Sequence, residues 1–169
     1  AIIQGMKSID GIIVERCSRA VEEKVAPGGV IGVVRTNGER KLYPFGHLTY
    51  DLISPFVGDD TIYDVASITK SIPTASLALA LIDKGALSLD KPVATYIPEV
   101  KNNYGDSVLV RHLLTYTIDS APLSEMKDRR AEEILSFVFS RPLEHAPGTV
   151  FRYSNTPALL LGFIVERIF

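Results

Sequence analysis

A single β-hairpin is the tightest restriction that the sequence places on the fold. Residues 30–35 form a short, nearly continuous apolar and β-branched run, which is typical of a strand buried on both faces. Asn37-Gly38 follows at once, and this dipeptide between two strand-like runs predicts a type I′ turn. The returning strand covers about residues 41–48, and its Pro44 cannot donate to a ladder, which predicts a sheet edge. We find no other segment available as sheet, so helices must supply most of the fold.

Apolar residues at helical spacing predict those helices. Ser8 is a suitable N-cap for the first helix, and the apolar side chains of residues 61–84 occupy two faces, so we expect that helix to be largely buried. Pro73 would remove one hydrogen bond from a helix that began earlier, so local signals place the start at Ser71. Further helices are predicted at residues 108–116, at residues 130–140, and from Pro157 onward with Thr156 as cap.

Length and element order predict one α+β domain. The chain has 169 residues, and roughly 150 residues make one domain. We expect residues 1–60 to hold a helix and the hairpin of the sheet region. Residues 61–169 then form a helical region.

Charge and composition exclude several classes of function. Eighteen Lys and Arg against twenty Asp and Glu give a net charge of −2, which leaves no basic excess for binding nucleic acid. No stretch reaches the ~20 apolar residues of a membrane span, and no signal peptide is visible. An exported, mature form would look the same, so the compartment is undecided. The one cysteine, Cys17, predicts no intramolecular disulfide, and His47, His112 and His145 have no metal-ligand or dyad spacing.

Two short patterns carry residues suited to nucleophilic chemistry. In the first, Ser67 precedes Lys70 by three residues, one helical turn, so a lysine that has lost its proton could activate the serine hydroxyl. In the second, Tyr153 lies two residues before Asn155, and these side chains could share proton transfer and bind a substrate carbonyl. Taken alone, the second pattern favours a capping turn with a buried tyrosine over a catalytic role.

The Ser-x-x-Lys spacing occurs three times, so context must select among the copies. Ser88 with Lys91 and Ser124 with Lys127 lie in turn-like or charged stretches. Only the copy at Ser67 opens an apolar helix, where desolvation and the helix dipole could lower the lysine pKa.

The context of these motifs resembles the serine β-lactamase-related family, which includes class C β-lactamases, D-alanyl-D-alanine carboxypeptidases and esterase relatives. The resemblance implies a β-lactamase and penicillin-binding-protein-like fold, with Ser67 as the acylated nucleophile. It also implies Lys70 and Tyr153 as the proton-transfer pair and Asn155 as a ligand of substrate and lysine, without a cofactor or metal. Implied substrates are D-alanyl peptides, β-lactams or short esters. Four ordered blocks carry the resemblance: residues 60–70, residues 81–90 followed by 96–98, residues 110–115, and residues 146–155 running into 159–166.

The sequence departs from that family in two places. Tyr116-Thr-Ile-Asp119 stands where the family usually has His-Thr-Ser-Gly. The family's third motif, Lys/His-Thr/Ser-Gly on a later strand, does not occur before Phe169. We therefore expect a domain whose sheet is completed by a missing C-terminal segment or by a second chain, paired to residues 30–35. A non-catalytic binding or assembly module on the same scaffold remains the alternative to a hydrolase.

Overall fold

The computed structural model describes residues 8–51, 53–120 and 122–169, apart from the side chain of residue 125. The chain divides into two compact units, residues 1–64 and residues 65–169. No helix in the described ranges is long and apolar enough to cross a membrane.

The described residues of the first unit contain one helix and one hairpin. Helix α1 is Ile9–Glu22, and Ser8 caps it by accepting a hydrogen bond from the Gly11 amide at 3.2 Å, as the sequence predicts. Strands β1 (Gly28–Val34) and β2 (Arg40–Gly46) pair in antiparallel register. Asp10, in the first turn of α1, accepts hydrogen bonds from Lys41 and Tyr43 of β2. These bonds fix the helix against the hairpin.

The hairpin differs from its predicted form in two respects. Gly38 has a φ of 85°, whereas Asn37 is not among the described residues with positive φ, so the turn is not type I′. The Gly38 amide bonds to the Arg35 carbonyl at 2.9 Å, and the single left-handed glycine fits a type I turn closed by a bulge. No residue of β1 is buried, and Val34 is 70% exposed, so the prediction of a strand buried on both faces is wrong. In the described sheet, β1 pairs with β2 alone, so one of its edges has no neighbouring strand.

The second unit is helical and has the larger core. A π-helical segment, Lys70–Ala75, runs directly into α2 (Ser76–Asp83). The remaining helices are α3 (Val93–Tyr96), α4 (Val110–Leu114), α5 (Ala131–Ser140) and α6 (Asn155–Ile168), with 3₁₀ turns at Gly105–Ser107 and Leu123–Met126. Helix α6 is central, because it contacts α2, α3, α4 and the π-helical segment. Its fully buried Ile164 and the buried Leu113 of α4 belong to one apolar cluster.

Pro73 lies inside the helical stretch, so the predicted start at Ser71 is wrong. Proline has no amide hydrogen, which leaves the carbonyl of Thr69 without its usual partner four residues on. The hydroxyl of Thr74 donates to that carbonyl at 3.0 Å, and the backbone widens into π-helical geometry. Helical structure therefore starts ahead of the proline, immediately after Ser67.

Two further helix predictions need correction. Residues 61–65 are not helical, and in α2 only Ala78 and Leu81 are buried, while Leu79 is 58% exposed. The spacing of apolar residues shows which faces of a helix are apolar, but it does not show whether another element covers each face. In α2 the expected burial is found on one face only. Helix α6 begins at Asn155 with Ser154 as cap, which places Thr156 inside the helix and not at the cap.

Candidate active site

Ser67 and Lys70 lie together at the start of the helical stretch of the second unit. Ser67 occupies a turn, preceded by Ala66 at the unusual φ of 44°, and the Lys70 amide bonds to the Ser67 carbonyl at 3.1 Å. This turn directs both side chains to one side, where the Lys70 ammonium donates to Ser67 Oγ at 2.8 Å. Ser67 is exposed and Lys70 is half-buried. The pair therefore presents a hydrogen-bonded hydroxyl to solvent.

Tyr153 joins this pair from the segment that precedes α6. The Lys70 Nζ lies 5.7 Å from the centre of the Tyr153 ring. Hydrogen bonding with the Ser67 side chain lowers the pKa of Tyr153 below its ordinary value, and the positive charge of Lys70 acts in the same direction. Partial loss of hydration opposes both. The environment thus favours a phenolate at Tyr153 more than water does.

The other two Ser-x-x-Lys copies form no such pair. Within the described side chains, neither Lys91 nor Lys127 bonds to the hydroxyl of its serine, and both lysines are exposed. Ser124 does line a small surface pocket of about 240 Å³ with Tyr153 and Asn155, but Lys127 is not part of its lining. Asn155 is exposed at the first turn of α6 and has no hydrogen bond to Lys70 among the described contacts.

Tyr116 is a neighbour of this site that the sequence marked only as a departure from a family pattern. Its ring stacks on that of Tyr153, with centroids 5.2 Å apart and planes inclined at 28°. Its backbone has a φ of 55°, and its carbonyl accepts the Arg152 amide at 2.9 Å. Burial and the neighbouring Tyr153 raise the pKa of Tyr116. Two stacked phenols therefore have pKa values shifted in opposite directions.

Asp119 is the second group that local sequence patterns did not reveal. Its side chain is 1% exposed, and its Oδ2 lies 2.5 Å from Nδ1 of His145. The Arg152 Nη1 approaches Oδ1 to 2.6 Å, without the alignment of a hydrogen bond, so this contact is an ion pair. The sequence predicts an ordinary surface or hydrogen-bonded histidine at position 145, and the structure shows it hydrogen-bonded to Asp119. Its partner lies 26 residues away in sequence, so no local spacing could have indicated the contact.

Metal-ligating side chains meet once in the described part of the chain. Atoms of Asp119, Glu144 and His145 lie within 4.8 Å of one another. Arg152 already neutralises the Asp119 carboxylate, so a cation would have to compete with the guanidinium for it. Charge therefore disfavours a metal at this cluster.

The chain is similar to several known proteins. The family model described as Beta-lactamase matches residues 16–169. The Beta-lactamase of Pseudomonas fluorescens is 29% identical over 141 residues, which are 82% of this chain and 38% of that protein. Esterase EstB of Burkholderia gladioli is 33% identical over 130 residues, 64% of this chain and 33% of the esterase.

A solved structure shows the same fold. The Beta-Lactamase/D-Alanine Carboxypeptidase from Pseudomonas syringae has a TM-score of 0.79 and 27% identity, over 94% of this chain and 44% of that one. The chain thus spans less than half the length of each of these three relatives. The predicted α+β fold of the β-lactamase and penicillin-binding-protein type is confirmed over the part that this chain represents. Because the family model matches nearly the whole chain, the protein belongs to the serine β-lactamase-related family.

Proposed function

We propose that the protein is a serine hydrolase that works through an acyl-enzyme formed on Ser67. The observation that carries the proposal is the 2.8 Å hydrogen bond from Lys70 to Ser67 Oγ, with Tyr153 beside both groups. A serine hydroxyl becomes nucleophilic when an adjacent group accepts its proton.

The contacts support a division of roles between Lys70 and Tyr153. Because Lys70 donates to Ser67 Oγ, the hydroxyl proton of Ser67 is free to point at the phenol oxygen of Tyr153. The lowered pKa of Tyr153 favours the phenolate that can accept this proton. Ser67 Oγ then attacks the substrate carbonyl, and its proton is passed through the pair to the leaving group. Water later adds to the acyl-enzyme, and Ser67 recovers its proton as the acid product leaves.

The proposed substrates are D-alanyl peptides, β-lactams or short esters. The relatives named as a β-lactamase, an esterase and a carboxypeptidase support this range without ranking its members. Asn155 lines the surface pocket that reaches Tyr153, and its amide can donate to a substrate carbonyl or accept from the lysine. We propose Asn155 as the substrate-binding residue.

The described sheet supports a further part of the proposal. One edge of β1 has no partner strand, and an isolated two-stranded hairpin is marginally stable in water. We propose that additional strands, from the same polypeptide or from a second chain, pair with β1 and complete the active enzyme. We expect that supplying these strands, as a synthetic peptide or as a co-expressed chain, raises the hydrolase activity.

Two departures near the site favour a second candidate function, a non-catalytic binding module. Pro73 widens the helical stretch that follows Ser67 and Lys70, and Tyr116, in the segment that departs from the family pattern, stacks on Tyr153. Such a module would keep the scaffold and bind its ligand without acylation.

Covalent labelling separates the two functions. The chain is exposed to a fluorophosphonate or a reactive β-lactam, and the adduct is mapped by mass spectrometry. We expect one adduct on Ser67 that disappears in Ser67→Ala and persists in the matched controls Ser88→Ala and Ser124→Ala. An adduct on either control serine would exclude Ser67 as the nucleophile, and a folded chain that stays unlabelled favours the binding module.

A further inference from the structure

The segment that carries Tyr153 has no regular secondary structure of its own. Residues 151–154 lie between a turn and the start of α6, outside any helix or strand. Such a segment needs contacts from elsewhere to hold a side chain in one place. Those contacts come from residues 116–120, which include the four residues, 116–119, that depart from the family pattern.

Two of these contacts are hydrogen bonds. The amide of Arg152, the residue before Tyr153, donates to the Tyr116 carbonyl at 2.9 Å. The buried hydroxyl of Ser154, the residue after Tyr153, forms a hydrogen bond with the buried hydroxyl of Ser120 at 2.8 Å. Tyr153 is therefore held from the residue before it and from the residue after it.

The third contact is the ion pair between Asp119 and Arg152. The Asp119 side chain is buried and also contacts His145, so one carboxylate joins three segments of the chain. A buried carboxylate in a low-dielectric setting holds its partners strongly, because an unpaired charge there is costly. The Arg152 side chain, at 46% exposure, has the freedom to leave if that carboxylate is removed.

We propose that Asp119 is a positioning residue, whose buried carboxylate fixes residues 152–154 and thereby holds Tyr153 beside Ser67 and Lys70. The inference rests on the role proposed above for Tyr153. Asp119 itself contacts neither Ser67 nor Lys70 among the described contacts, so it acts through Arg152 and the tyrosine that follows it.

The pKa of Tyr153 distinguishes positioning from a direct effect of charge. Removing a nearby negative charge, and freeing the cation of Arg152 from it, stabilises a phenolate and so lowers a tyrosine pKa further. Displacing Tyr153 from Ser67 and Lys70 has the opposite effect, because these two groups are what lower its pKa. The direction of the shift therefore identifies the mechanism.

The experiment is an NMR titration of the chain labelled with ¹³Cζ-tyrosine. The seven tyrosines give seven signals, and Tyr153→Phe assigns the one of interest. In Asp119→Asn we expect the pKa of Tyr153 to rise toward the ordinary value of about 10. A folded variant in which this pKa is unchanged or lower overturns the proposal. Glu99→Gln, which removes an exposed carboxylate paired with Arg167, is the matched control and should leave Tyr153 unchanged.

A second variant keeps the test decisive if Asp119→Asn does not fold. Asp119→Glu retains the charge but lengthens the side chain by one methylene in a buried site, so it should also displace residues 152–154. We expect the same upward shift, and an unchanged pKa of Tyr153 would contradict positioning. Since the total charge is constant in this variant, a purely electrostatic effect predicts no shift.

Labelling of Ser67 is measured in parallel, so that failure of the proposed function is seen separately. If the wild-type chain acylates, Asp119→Asn should slow acylation on the order of 100-fold, the scale for a misplaced catalytic group. If the wild-type chain does not acylate but the pKa of Tyr153 rises in the variants, positioning stands and the hydrolase proposal fails. If the wild-type chain acylates but the pKa of Tyr153 does not change in the variants, the hydrolase proposal stands and the positioning proposal fails.

Discussion

Replacing Tyr153 by phenylalanine tests the proposed proton transfer most directly. The ring is retained, so stacking on Tyr116 at 5.2 Å and the approach of Lys70 at 5.7 Å can both persist. Only the hydroxyl is lost, together with its interaction with Ser67. The change in rate therefore measures the phenol's part in the reaction and not its packing.

The expected loss is roughly 100-fold or more in the acylation rate, the usual scale for a positioned general base. The pH dependence should change as well. Because the pKa of Tyr153 is lowered, the wild-type rate should rise with pH along an apparent pKa below the ordinary 10 of tyrosine. Without the phenol, this limb of the profile should disappear.

The assay is the rate of covalent labelling by a reactive β-lactam between pH 6 and about 10, the ordinary pKa of tyrosine. Tyr116→Phe is the matched control, because it removes the other hydroxyl of the stack and keeps both rings. We expect Tyr116→Phe to retain most of the acylation rate and the pH limb. Equal rates for the wild type and Tyr153→Phe would remove the tyrosine from the mechanism and leave Lys70 as the candidate base.

The remaining predictions concern stability. Ile164 is fully buried in the core of the second unit and Ile72 is 65% exposed, so Ile164→Ala should lower the free energy of unfolding by about 2–5 kcal/mol. Ile72→Ala should change it by less than about 0.5 kcal/mol in the same denaturant titration. Arg167 lowers the pKa of Glu99 to about 2 from 4.5. The stability difference between wild type and Glu99→Gln should be complete above pH 4.5 and vanish as the pH falls through about 2; a difference that persists there would contradict the pairing.

Local signals predicted features whose causes are local. Ser8 caps α1 because its hydroxyl reaches an amide three residues away, and the hairpin pairs where β-branched residues flank a turn. The Ser67 and Lys70 contact also spans one helical turn, so spacing could indicate it. The turn type could not be predicted in the same way, because Asn37-Gly38 permits a type I′ turn without enforcing it.

The missed features depend on contacts between distant parts of the chain. Asp119 meets His145 across 26 residues and Arg152 farther along, and no periodicity connects these positions. The widened helix around Pro73 is the exception, since it depends on a local contact in which the Thr74 hydroxyl reaches the Thr69 carbonyl five residues earlier. Sequence patterns identified the residues whose side chains can take part in a reaction. The groups that hold those residues in place are set by the folded structure, which brings distant segments together.

The ion pair between Asp119 and Arg152 predicts which of the two residues costs more stability when it is replaced. Asp119 is 1% exposed, whereas Arg152 is 46% exposed. Loss of the carboxylate leaves a guanidinium that water can reach, so Asp119→Asn should be tolerated. Loss of the guanidinium leaves a buried carboxylate with His145 alone, and breaking a buried pair in this way costs about 3–5 kcal/mol.

We therefore expect Arg152→Met to destabilise the chain more than Asp119→Asn, in urea titrations followed by circular dichroism. The double variant should be more stable than Arg152→Met alone, because it removes the carboxylate that the single change strands. Coupling between residues in one ion-pair network is typically 0.5–3 kcal/mol, within reach of this measurement. Equal costs for the two single variants, with a double variant equal to their sum, would mean that the carboxylate is hydrated despite its burial. The contact would then be too weak to hold the segment that carries Tyr153.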